Sequence, residues 1–339
     1  MRALVVESLG DPTAPLRSGV LALRDIPAPK LKPGSVRIGV AAASLNFPDA
    51  LQVQGKYQVK LPLPFIPGSE VSGVVTEVGP GVKALAVGDR VAACTMGGAF
   101  AEQVVVAEAA VWKLPDGFDL HAAAAVPVVY GTADLALRVR AQLKKGQTLL
   151  VLGAAGGVGV AACQIGLATG ATVVAVVRGP EKAAFMRQLG VTAVIDSAAL
   201  GGVPLHKAVK AVAKKGADVI FDPVGGAMLD EALKAAAPWG AQYLVIGFAA
   251  GDIPKVPTNI LLVKNMTMHG VFWGSYLQHR PDVLTQGTRL MQDILDRGGV
   301  GVSVSHSFPL DQAPQAFSAL LERKVMGKAL LVMGPSSRM

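Results

Sequence analysis

The sequence predicts a two-domain α/β protein, a β-rich and mostly antiparallel unit followed by a doubly wound parallel sheet. Three observations carry that prediction. The chain has 339 residues, about twice the ~150 residues of an ordinary domain. Its texture changes near residue 121, from short β-rich runs broken by Gly and Pro to apolar runs alternating with helical patterns. It is 51% hydrophobic and only 17% charged, against a globular average of about 25% charged. Such a balance argues against disorder, which needs low hydrophobicity and high charge. A chain of this length also needs no disulfide or metal to hold its core.

In residues 1–121 the runs MRALVVE, SVRIGVAAASL, EVSGVVTEVG, DRVAAC and FAEQVVV read as short strands. Turn chemistry separates them, as in GPGV at 79–82 and VGDRV at 87–91. This spacing predicts a compact, barrel-like domain. Inside it, Asn46-Phe47-Pro48-Asp49 reads as a helix start, with Asn46 as N-cap and Asp49 in the first turn.

Residues 122–273 form the second predicted domain. An alanine-rich helical segment leads to TLLVL at 148–152, and apolar runs recur at 171–177, 193–196, 217–222, 243–248 and 267–273. VGVAACQIGLA, EKAAFMRQLG, HKAVKAVAKKG and AMLDEALKAAAP supply helices between them. Apolar strands alternating with amphipathic helices predict a parallel sheet covered on both faces, and six strands is the Rossmann number. Residues 274–339 contain a predicted helix over 281–298, the run VGVSVSHSF, another helix and the strand KALLVM. They are too few for a domain and are expected to return and complete the first one.

Residues 146–177 contain no Asp, Glu, Lys or Arg, long enough to raise a membrane span. The glycines of GAAGGVG and the polar Gln164, Thr169 and Thr172 argue against insertion. The net charge is +8, which permits an anionic ligand or nucleic acid without requiring either. The basic residues are scattered, and no aromatic stacking motif accompanies them, so nucleic acid is not expected. Two cysteines, Cys94 and Cys163, cannot build a disulfide framework or a four-thiolate zinc site. Both read as packing residues. The N-terminus lacks the apolar core of a signal peptide, so a cytoplasmic location is expected.

The strongest local motif is Gly153-Ala154-Ala155-Gly156-Gly157-Val158-Gly159, directly after the strand TLLVL. The dinucleotide fingerprint G-x-G-x-x-G falls on Ala154, Gly156 and Gly159, with alanine replacing its first glycine. Gly156 would let the backbone approach a pyrophosphate, and Gly159 would let helix and sheet pack closely. Gly157 and Val158 open the helix, whose N–H groups favour phosphate. The next strand ends in Val176-Val177-Arg178, with Lys182 beyond. An NAD site usually places a carboxylate there; Arg178 and Lys182 would pair instead with a 2′-phosphate, so NADPH is expected. The alternative is a surface arginine ending a strand and a solvated lysine.

These parts, in this order, resemble the zinc-free quinone oxidoreductase, zeta-crystallin-like branch of the medium-chain dehydrogenase/reductase superfamily. The resemblance is carried by SLNFPDALQVQGKY (44–57), PFIPGSEVSGVV (64–75), GPGV…GDRV (79–91), AAVPVVYGTA (124–133), AAGGVG (154–159) and FDPVGG (221–226). It implies a GroES-like catalytic domain, a Rossmann NADPH-binding domain, and hydride transfer to a quinone or similar conjugated carbonyl. It also implies a homodimer through edge strands of the Rossmann sheets, here TMHGVFW. Zinc alcohol dehydrogenases carry Gly-His-Glu where this chain reads Gly68-Ser69-Glu70, and the five histidines show no ligand spacing. No metal is expected.

The same resemblance points to Tyr57 and Asn46 as catalytic candidates. Tyr57 matches a proton-donating tyrosine of related enoyl-thioester reductases, or it contacts the nicotinamide ribose; Asn46 would hold the ribose or carboxamide. Further cofactor contacts implied are Tyr130, Thr132, Asp222, Gly247, Phe248, Phe272 and Trp273, mostly at strand C-termini, where open α/β sheets bind ligands. Two other readings stay open. One is an enoyl-thioester or alkenal reductase on the same scaffold. The other is a non-enzymatic protein that binds NADPH or RNA.

Overall fold

The computed structural model describes residues 1–280 and 301–334; the helix expected over 281–298 lies outside them. The chain divides into two compact units, one of Met1–Val128 with the C-terminal residues and one beginning at Val129.

The first unit is built on β1 (Arg2–Val6), β2 (Leu21–Asp25), β3 (Ser35–Ser44), α1 (Phe47–Val53), β4 (Glu70–Val78), β5 (Arg90–Cys94), β6 (Gln103–Ala107), β7 (Val111–Lys113) and α2 (Leu120–Ala124). Short β2 and β7 escaped the sequence reading, since neither shows a sustained alternation. β1 and β2 pair antiparallel, while β3, β4, β5 and β7 form an antiparallel path with β6 paired to β3. The residue 121/122 division falls inside α2, which Asp119 caps through the N–H groups of His121 and Ala122. That helix packs on β3, β4 and β5.

The C-terminal segment joins this unit, as its apolar strand requires. A helix at Ala313–Leu321 packs into the core, and the strand Lys328–Val332 lies antiparallel to β3, pairing Leu330 with Ser44. Phe317 of that helix meets Phe100 edge to face at 6.3 Å, among buried Leu4, Ile38 and Leu45. One face of the strand therefore closes the core, while its first residue, Lys328, is carried inside.

The second unit holds β8 (Thr148–Leu152), α4 (Gly157–Thr169), β9 (Thr172–Val177), α5 (Pro180–Gln188), β10 (Ala193–Asp196), α6 (Leu205–Val212), β11 (Val219–Asp222), α7 (Met228–Ala235), β12 (Gln242–Val245), α8 (Thr258–Val263), β13 (Thr267–Gly270) and α9 (Trp273–His279). Before β8, α3 (Pro127–Asp134) runs into a π-helical turn at Leu135–Arg140. All six strands are parallel, in the order β10-β9-β8-β11-β12-β13. This is the Rossmann order, with its switch point between β8 and β11.

Two sequence assignments shorten here. β12 stops at Val245, placing Gly247 and Phe248 in the following loop, and β13 stops at Gly270. Phe272 is the N-cap of α9 and Trp273 its first residue, so neither belongs to the strand. The uncharged stretch 146–177 is β8, a glycine loop, α4 and β9. Among the described residues no helix is long and apolar enough to cross a membrane. α4 and its flanking strands are uncharged because they are covered by neighbours: Leu150, Leu152, Cys163, Val174 and Ala175 are all fully buried.

Candidate functional site

Two clusters of chemistry stand out, one in each unit. In the first unit, α1 begins at Phe47 with Asn46 at its N-cap. The expected cap is only partly realised. Asp49 Oδ2 accepts the Asn46 N–H at 2.7 Å, but the Asn46 side chain makes no cap bond. Its Nδ2 donates to Glu70 Oε1 at 2.8 Å, and its Oδ1 accepts from Lys328 Nζ at 2.7 Å. Both ends of the amide therefore have partners inside the protein.

Glu70 and Lys328 were not anticipated. Lys328 Nζ donates to Leu45 O, Asn46 Oδ1 and Glu70 Oε1 at 2.7–2.9 Å, which uses all three of its donors. Glu70 Oε2 accepts the Val128 N–H at 2.8 Å. Glu70 is 0% and Lys328 5% exposed, so this is a fully buried, fully satisfied ion pair. The available signal was faint: a charge heading each of two otherwise apolar strands, EVSGVV and KALLV.

Beside this pair lies a second buried carboxyl. Asp49 is fully buried, and Ser69 Oγ donates to its Oδ1 at 3.0 Å. Burial raises the Asp49 pKa to about 7, reinforced by Glu70 and opposed by the Asn46 N–H, Ser69 and Lys328. Ser69 is fixed by its neighbours. Gly68 has φ +94°, and a Cβ there would overlap the Phe100 ring, so only glycine makes the turn that presents Ser69. The Thr95 N–H holds the Ser69 carbonyl at 2.9 Å. Tyr57 follows α1, and burial raises its pKa, with the charge of Asp49 adding to the shift. Cys94 is buried on β5, its thiol pushed well up by burial and by Glu70, so it is no nucleophile.

In the second unit the glycine loop follows β8 as the sequence predicts. Gly156 is the N-cap of α4, without a side-chain cap bond, so the first N–H groups of that helix, on Gly157 and Val158, meet no capping oxygen. A Cβ on Gly159 would lie 2.6 Å from Gly153 O and 2.7 Å from Ala154 Cα, whereas one on Gly156 would meet only Gly153 O at 3.5 Å. Gly159 is thus required for packing and Gly156 leaves open space above the loop. That is the cradle a pyrophosphate needs, so a dinucleotide fits these residues.

At the end of β9, Arg178 is exposed and Lys182 half-buried on α5. Asp196, at the end of neighbouring β10, was missed by the sequence reading. It accepts the N–H groups of Gly179 and Ala198 at 2.8 and 2.9 Å, which hold its carboxyl below the usual range.

The other predicted contacts have local partners. Asp222 is buried, with Oδ1 accepting the N–H groups of Val224 and Gly225 and Oδ2 the Tyr243 hydroxyl. Its carboxylate shapes the loop after β11 and faces inward. The Tyr130 hydroxyl donates to Gln164 Oε1 of α4 at 2.5 Å, and Thr132 is also buried. Gly131 between them lies under the Trp273 indole, 2.7 Å from where a Cβ would stand. Phe272 is exposed beside it.

Comparison with known proteins follows the same two-unit division. A family model described as an alcohol dehydrogenase GroES-like domain matches residues 32–116, and one described as a zinc-binding dehydrogenase matches 157–292. The quinone oxidoreductase-like protein 2 homolog of Nematostella vectensis is 38% identical over 339 residues, covering 97% of this chain and 88% of that protein. The quinone oxidoreductase of Pseudomonas aeruginosa is 33% identical, covering 92% of this chain and 95% of that protein. The quinone oxidoreductase of Thermus thermophilus, solved alone and with NADPH, superposes with a TM-score of 0.82 at 34% identity, covering 98% of this chain and 100% of that one.

The zinc ion implied by one family description does not fit the buried cluster. The Lys328 ammonium already occupies the oxygens of Glu70, Asn46 and Leu45, and Ser69 is turned to Asp49. Among the described residues, no group of three His, Cys, Asp or Glu stands together as a metal site.

Proposed function

The chain belongs to the quinone oxidoreductase branch of the medium-chain dehydrogenase/reductase superfamily, and from that premise we propose a zinc-independent, NADPH-dependent reductase of quinones or similar conjugated carbonyls. The observation that carries the reading is the β8–α4 glycine cradle followed by Arg178, with no carboxylate ending β9. NADPH, when bound, supplies the hydride. The backbone of Gly156, Gly157 and Val158 would hold its pyrophosphate, and Arg178 with Lys182 its 2′-phosphate. Tyr130, Thr132, Gly247, Phe248, Phe272 and Trp273 are the proposed lining, with Asp222 shaping the loop among them. Tyr57 is proposed to touch the acceptor or the ribose, and Asn46 to hold the ribose or carboxamide from its place beside Glu70 and Lys328.

We read the assembly as a homodimer formed by two β13 edges. Among the described residues β13 pairs only with β12, and near it Leu262 and Val263 of α8 are 77% and 67% exposed, which suits a second copy. Two buried free cysteines favour a reducing, cytoplasmic location.

The test is NADPH oxidation across a panel of quinones, enones and enoyl thioesters, with NADH run alongside. Turnover is expected with quinones and NADPH. NADPH binding without turnover on any acceptor would remove the enzymatic reading, and turnover confined to enoyl thioesters would move the chain to that class.

A further inference from the structure

We propose that Ser69 and Asp49 form the proton-delivery pair of the reduction, with Ser69 touching the reduced acceptor and Asp49 resupplying Ser69 from behind. This rests on the reductase reading above and names a step that it leaves open. Hydride addition to a quinone leaves an oxyanion, which must take up a proton to become the hydroquinone.

The geometry selects these two residues. Of the buried polar cluster, Asn46, Asp49, Glu70 and Lys328 are all closed to solvent, and Ser69 alone is partly exposed. Its hydroxyl is bonded to Asp49 Oδ1 at 3.0 Å; when Asp49 carries its proton the carboxyl O–H donates to Ser69 Oγ and the serine hydrogen turns to the acceptor, so the buried carboxyl reaches the surface through Ser69. The other titratable groups facing Asp49 are unsuited. Lys328 has committed its three donors, and Glu70 is its ion partner. Cys94 is a buried thiol on β5. The Ala313–Leu321 helix packed against α1 carries no titratable side chain. Tyr57 remains as the rival donor, and the test separates it. Met96, next to Thr95 whose N–H bonds the Ser69 carbonyl, is 43% exposed, an apolar side chain suited to a flat, apolar acceptor ring.

The step balances simply. The Ser69 O–H bond breaks as its proton goes to the acceptor oxyanion, and the Asp49 carboxyl O–H breaks to restore it. Once the hydroquinone leaves, a proton from water returns to Asp49 through the partly exposed Ser69 hydroxyl. One hydride and one proton are consumed, and the protein ends as it began.

The test compares two quinones with the full-length protein and NADPH: an alkyl benzoquinone, whose hydroquinone is a weak acid, and a polyhalogenated one, whose hydroquinone anion is stable near neutral pH. Ser69→Ala should lower kcat ~100-fold on the first, in the range of general acid catalysis, and change the second little. Ser69→Thr should restore most of the loss. Because Asp49 must carry its proton, wild-type kcat on the alkyl quinone should fall as pH rises through about 7, and Asp49→Asn should abolish that limb. Equal losses on both quinones would overturn the pair as a proton source, as would full activity of Ser69→Ala or a selective loss in Tyr57→Phe alone. If wild type oxidises NADPH with neither quinone, the reductase reading falls as well.

Discussion

The two units differ in what they bury. The parallel sheet of the second unit is covered on both faces by apolar side chains, and its chemistry sits in loops at the strand ends. The second unit buries the carboxylates Asp134 and Asp222, whereas the first buries an ion pair, Glu70 with Lys328, and the Asp49 carboxyl beside it. A surface loop can bind and release a large cofactor without unfolding anything. A buried polar cluster has fixed geometry, because each member is held by bonds it cannot exchange with water. The difference suggests a division between a unit that holds a ligand and a unit that holds a proton.

The contrast breaks most severely if the ammonium is removed. Lys328→Met leaves Glu70 buried without its cation, for which a loss of about 3–5 kcal/mol is expected. Urea denaturation would measure it. Adding Glu70→Gln should recover much of the stability, since the double variant leaves no unpaired charge at position 70. A single Lys328→Met variant as stable as wild type would mean that the pair does not hold the first unit together.

The same contrast explains what was legible in the sequence. TLLVL and AVID end where the sequence places them, at 148–152 and 193–196; the first is a strand buried on both faces and is written as one contiguous apolar run. The glycine loop was legible for the same reason, since its parts are consecutive. Asn46 and Tyr57 were singled out, but the inward turn of the Asn46 amide was not foreseen. Its partner Lys328 is 282 positions away, and no local pattern encodes such a contact. Ser69 was noted as the residue replacing a histidine, while its bond to Asp49 needed the fold. Phe272 and Trp273 read as strand because TMHGVFW ends in three consecutive apolar residues, and periodicity does not mark where such a run turns into a helix.

A smaller effect sharpens the comparison within the second unit. Gly159→Ala places a methyl 2.6 Å from Gly153 O and 2.7 Å from Ala154 Cα, both backbone atoms that cannot rotate away. Overpacking of this kind costs about 1–3 kcal/mol, so the cofactor-free protein should melt earlier. Gly156→Ala adds a methyl that meets only Gly153 O at 3.5 Å, at φ −80°. Its melting should match wild type while NADPH affinity falls, as followed by nicotinamide fluorescence. Equal melting of both variants would show that the loop does not separate packing from binding.

The smallest expected effect concerns charge at the end of β9. Arg178 is exposed there, so it contributes little to stability and its replacement should leave the fold alone. Asp196 stands on the adjacent strand, kept ionised by the N–H groups of Gly179 and Ala198. A 2′-phosphate arriving at this corner therefore meets a fixed negative charge as well as the positive charges of Arg178 and Lys182. Arg178→Asp leaves Lys182 against two carboxylates, and the balance should turn against the phosphate. The ratio of kcat/KM for NADPH to that for NADH should fall at least ~10-fold, equivalent to about 1.4 kcal/mol. Because the corner is open to solvent, the shift should shrink as salt is added. A ratio unchanged at low ionic strength would place the 2′-phosphate elsewhere and return Arg178 to being a surface residue at the end of its strand.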